Sequence, residues 1–117
     1  MSKEKIKVVI VRPDEEARIE EIENTLEAKQ EIVGGWIEAI YPWDEQAALI
    51  CNEEGKITGM DPCRVLRDET GAVLDVICGP FLVVGLTEDD FGGLSDDLAE
   101  KYCNMFKNIE YMKIQGA

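Results

Sequence analysis

This sequence predicts an α+β domain, a single mostly antiparallel sheet of five or six strands covered by two helices. Three observations predict it. Short apolar runs rich in β-branched residues recur between turn signals, and two pairs of them flank Gly-containing loops of hairpin length. Near the end of the chain Leu98, Tyr102, Met105, Phe106 and Ile109 follow the i, i+4, i+7, i+8, i+11 spacing of an amphipathic helix. Cap signals on either side of residues 25–33 announce a second helix.

IKVVIV, residues 6–11, is β-branched at most positions and reads as a strand buried on both faces or nearly so, with Pro13 and Asp14 beginning the turn after it. ARIEEIEN follows as a short strand returning beside the first, its acids suited to an edge. Asn24, with Glu27 three residues on, forms a capping box that opens a helix near Thr25 and buries Leu26, Ile32 and Val33. Gly34 and Gly35 then raise the question of a phosphate loop. Such loops place their glycines after a strand and before a helix, and here the order is reversed, so Gly34 reads as a helix C-cap. A strand from Trp36 to Tyr41 comes next and stops at Pro42. AALICNEEGKITGM reads as a hairpin turning on Asn52 to Gly55. CRVLRDETGAVLDVI is a second, turning on Asp68 to Gly71 between strands at 64–67 and 73–77. GPFLVVGL supplies one more apolar strand, and Ser95 caps the last helix with Asp96 and Asp97 in its first turn.

A chain of 117 residues makes one compact domain, residues 1–117, with enough length to bury one core. MSKEKIKVVIV is too short an apolar run for a signal peptide, and no segment nears the roughly 18 apolar residues of a membrane span, so a cytoplasmic protein is expected. Twelve basic against twenty-five acidic residues give a net charge of −13. That excess opposes direct contact with nucleic acid or an anionic membrane surface and favours a basic partner. Residues 14–31 alone hold eight acids against Arg18 and Lys29. This segment is either a solvated surface or a face offered to a basic host protein, with its eight acids expected on one side of the domain and Glu20, Glu21 and Glu23 as the partner-binding residues. Oligomeric state is not legible.

Cys51, Cys63, Cys78 and Cys103 are spaced 12, 15 and 25 apart, with no Cys-x-x-Cys pair and no histidine in the chain. A zinc site is excluded on that pattern and free thiols are expected. The missing histidine also removes the usual general base at neutral pH. Asp89-Asp90 and Asp96-Asp97 are adjacent pairs whose side chains diverge, so no catalytic residues, metal or cofactor are assigned. For a small anionic, nucleotide-like ligand the candidate pocket is Arg64 with Asn52, Tyr41 and Trp43. A guanidinium fork recognises phosphate bidentately, and aromatics stack on bases.

LEAKQEIVGGWIEAIYP, LICNEEGK, CRVLRDETG and DVICGPFLVVGL, in this order over nearly the whole chain, resemble a bacterial and phage family catalogued as domain of unknown function 3846. Cys63 departs from its pattern, which commonly has Asn before the arginine. The resemblance implies a small α+β accessory domain of phages, plasmids and integrated elements, and brings no catalytic residues with it. A non-enzymatic binding module acting on a host component, in counter-defence for instance, is the expected function.

Overall fold

Strand β7, Phe81–Leu86, is the strand around which the fold is arranged. The computed structural model describes residues 4–68 and 70–110. In chain order the elements are β1 (Lys5–Val11), β2 (Arg18–Glu23), α1 (Leu26–Val33), β3 (Ile37–Ile40), β4 (Ala47–Asn52), β5 (Pro62–Arg67), β6 (Val73–Cys78), β7, β8 (Phe91–Gly92) and α2 (Asp96–Met105). Six strands form one sheet in the order β2-β1-β7-β4-β3, with β8 also paired to β7. Every pairing in it is antiparallel.

Both faces of this sheet are covered, which is why β1 from Val8 onward, β4 up to Cys51 and β7 read as near-continuous apolar runs. Val9, Val11, Leu49, Cys51, Phe81 and Val83 face α2 (Tyr102, Phe106) and the β5–β6 hairpin (Cys63, Leu66, Ile77). Their alternates Val8, Ile10, Ala48, Ile50, Leu82 and Val84 face α1 through Val33. Of the expected amphipathic stripe, Leu98, Tyr102 and Met105 lie on α2, Phe106 is its C-cap and Ile109 falls beyond the helix; Tyr102 and Phe106 are buried and Met105 is 46% exposed.

Four further differences from the sequence expectations concern the helix α1, the turn after β4 and the β5–β6 hairpin. The first concerns the α1 cap, which is Thr25, whose Oγ1 accepts from the Ala28 amide at 3.1 Å, and not Asn24. Asn24 still donates its backbone N–H to Glu4 O in the β1–β2 ladder, so the helix opens one residue later. Second, Leu26 is 49% exposed, and Lys29 and Val33 take the buried line. The Lys29 stem runs inward while its ammonium donates to Asn24 Oδ1 and Thr25 O. Third, residues after Asn52 wind through successive turns (Thr58 N to Glu54 O, Met60 N to Gly55 O), so KITGM is no strand and Ile57 is 83% exposed. Fourth, the β5–β6 hairpin stands as its own two-stranded sheet. Its turn closes as expected, Asp68 N donating to Ala72 O and Gly71 N to Asp68 O, while Glu69 lies outside the described residues.

Candidate functional site

A cavity of about 220 Å³ lies between the β3 end of the sheet and the hairpin. Glu38 and Cys51, register partners on β3 and β4, line it on the sheet side. Asn52, Glu53, Gly55, Lys56 and Ile57 from the turn and Asp75–Cys78 from β6 complete the lining. Two local features build it. Gly55 lies so close to the end of β6 that a Cβ there would stand 2.6 Å from the Cys78 carbonyl oxygen. Gly34, at φ 81, ends α1 in the left-handed conformation, and its N–H donates back to Gln30 O. The chain can then turn directly into the edge strand.

Electrostatically the cavity is acid-rich. Lys56 is held by Asp75, and that hydrogen bond lifts the ammonium above its ordinary pKa. Burial pushes the Asp75 carboxyl up, but the Lys56 hydrogen bond, the Val76 amide and the Lys56 charge bring it net below the ordinary carboxylate value. Burial, with the Glu38 and Asp75 charges, pushes the Cys51 thiol up to about 11, and burial likewise raises Cys78. Neither thiol is disposed to act as a nucleophile at neutral pH. Glu38, Glu53 and Asp75 together outnumber the single cation Lys56. Asn52 and the NEEGK turn were legible as a structured loop in the sequence. Glu38, Lys56 and Asp75 were not, although a lone acid inside WIEAIY is the signal that points to Glu38.

The structure separates the residues expected to hold an anion. Arg64 is fully buried. Its Nε donates to Phe106 O at 3.0 Å, one terminal nitrogen to Cys63 O at 2.9 Å and Arg12 O at 3.4 Å, and the other to Glu15 O at 2.7 Å. The guanidinium therefore ties the C-terminal end of α2 to the β1–β2 turn and leaves no exposed surface to meet an anion. Asn52 has both ends of its amide engaged, donating to Val33 O and accepting from the Glu54 N–H. Trp43 packs on Tyr102 with ring centroids 4.3 Å apart, and Tyr41 is 61% exposed. Tyr41 and Trp43 do share a shallow surface hollow, but with Asp44 and Asp68, whose charge is wrong for an anion.

Glu20, Glu21 and Glu23 are likewise divided. They sit on β2, and strand alternation sends Glu20 to one face and Glu21 and Glu23 to the other. They do not share one side. Glu20 lies 3.4 Å from Arg18, Glu21 is the register partner of Lys7 and Glu23 that of Lys5. No group of three or more His, Cys, Asp or Glu able to hold a metal occurs among the described residues. No helix among them is long and apolar enough to cross a membrane.

The segments that carry the family resemblance meet in this architecture. The glycine pair ends α1, NEEGK and DVIC line the cavity, Arg64 anchors α2, and Phe81 begins the central strand. The model of the family described as Domain of unknown function (DUF3846) matches residues 6–107. The chain belongs to this family. No curated protein and no solved structure matches it significantly. Within this DUF3846 chain the residues of the resemblance with an evident task, Gly34, Asn52, Gly55 and Arg64, hold elements together. At position 63 this chain carries a buried cysteine whose Sγ lies 3.8 Å from Val11 O.

Proposed function

We propose that this protein is a non-enzymatic binding module of a phage or other mobile element, acting in the bacterial cytoplasm by occupying a basic face of a host protein, in counter-defence for instance. One observation carries the reading. Lys7, Arg18, Lys56, Arg67 and Lys101 each lie against a carboxylate of the same chain, and Lys29 and Arg64 are buried. Most of the described bases are thus held close to groups of the chain itself, and the acids left over set the net charge of −13. Such a field speeds encounter with a positive surface and suppresses binding to phosphate backbones. The absence of histidine and the raised thiol pKa values support binding over catalysis.

Immobilised protein exposed to a bacterial lysate at low ionic strength is expected to retain a basic protein and to release it as salt rises past about 0.15 M, where screening falls to about 8 Å. Retention of nothing, or of a partner indifferent to salt, overturns the reading.

A further inference from the structure

The two margins of the main sheet are built differently. β2 presents Arg18, Glu20, Glu21 and Glu23, the charge pattern that keeps an edge from pairing with another chain. β3 has a single charge, Glu38, and is bracketed by Trp36 and Tyr41, which are 66% and 61% exposed. No described strand pairs with its outer side. The register says which groups that side offers. Glu53 N donates to Trp36 O, so Trp36, Glu38 and Ile40 point their backbone groups at β4. By alternation the N–H and C=O of Ile37 and Ala39 point outward. The cavity lined by Glu38 and Asp75 lies against this same margin, on the hairpin side of the sheet.

We propose that β3 is a docking edge for an extended segment of a partner protein, which pairs with Ile37 and Ala39 and places a lysine or arginine in the cavity beside Glu38. Charge complementarity chooses this occupant. The cavity's own cation, Lys56, is already engaged by Asp75, which leaves Glu38 and Glu53 for an incoming one, while Val76 and Ile57 suit its aliphatic stem. Trp36 and Tyr41 supply rigid apolar contacts at either end of the paired stretch. A second copy of this chain is a poor occupant, because antiparallel pairing of β3 with itself brings two Glu38 carboxylates and two charges of −13 together. The proposal rests on the reading of the protein as a binding module and names the surface and chemistry of that binding.

The test uses the full chain and a fluorescein-labelled octapeptide of alternating valine and threonine with lysine at one central position, against its glutamate counterpart. Anisotropy is expected to show the lysine peptide binding at least about tenfold more tightly. Glu38→Lys is expected to reverse that preference. Ala39→Pro removes one outward N–H without touching the β4 ladder and is expected to abolish binding of both peptides. Equal binding of the two peptides, or a lysine preference unchanged in Glu38→Lys, overturns the proposal. Sedimentation showing a wild-type dimer that Ala39→Pro dissociates overturns it in favour of self-pairing. Retention of a basic lysate protein by Ala39→Pro at wild-type strength leaves the broader reading standing and this surface wrong.

Discussion

Arg64 places its guanidinium in the core, and among the described residues no carboxylate forms an ion pair with it. What compensates is geometry: carbonyl oxygens of Phe106, Cys63, Arg12 and Glu15 surround the fork, and the first belongs to the C-cap of α2, where the helix dipole is negative. Removing the side chain strands those acceptors, so Arg64→Met is expected to cost about 3–5 kcal/mol in urea unfolding. Arg64→Lys keeps the charge and loses the planar fork, with an expected loss of about 2 kcal/mol. A variant as stable as wild type would show that the carbonyls find other donors. Glu45 accepts from Lys101 and from the Tyr102 hydroxyl, and these two hydrogen bonds hold its carboxyl below the ordinary value. The folded state therefore binds the proton less readily than the unfolded chain. Its contribution is complete above the unfolded pKa of about 4.3 and fades as pH falls through the folded value. Glu45→Gln is expected to flatten that part of the acid side of a stability–pH curve measured by thermal melts.

Elements differ in how far local sequence decides them. Gly34, Ser95 and the Asp68–Gly71 turn were legible because each feature depends on residues within one turn of chain. The separation of the β5–β6 hairpin from the main sheet was not. It depends on long-range contacts, including Arg64 reaching Phe106 and Cys63 packing beneath Val11, and no local pattern encodes them. Lys29 illustrates the same limit, since a lysine that buries its stem looks in sequence like a solvent-facing one. For the candidate site, Asn52 was legible as a turn residue, whereas Glu38 gained its place only when β6 was laid across from it. The register of β3 makes a direct prediction. Amides of Ile37 and Ala39 should exchange with deuterium fast and those of Glu38 and Ile40 slowly, which residue-resolved NMR exchange checks. Uniform protection along β3 would mean that its outer side is already paired.

At the scale of the whole molecule, surplus negative charge sets a cost as well as a field. Glu20, Glu21 and Glu23 each have a basic neighbour on β1 or β2, but these are exposed contacts worth little individually. Replacing all three by glutamine is expected to change stability by no more than about 0.5 kcal/mol in either direction. The same replacement is expected to slow association with a basic partner and reduce its salt dependence in stopped-flow measurements. An unchanged association rate would assign these acids to solubility alone.

The strand order has a consequence for how the chain is made. β1 pairs with β2 and β4 with β3 through short connections, but only β7 joins the two pairs, and it emerges from the ribosome after both. Until Leu86 is synthesised and clear of the exit tunnel, the nascent chain holds two apolar half-sheets with open inner edges. A chain released at Gly79 would keep both halves without their joiner and is expected to aggregate in expression trials, whereas release after Phe106 would not. The most vulnerable moment for this protein therefore belongs to its translation.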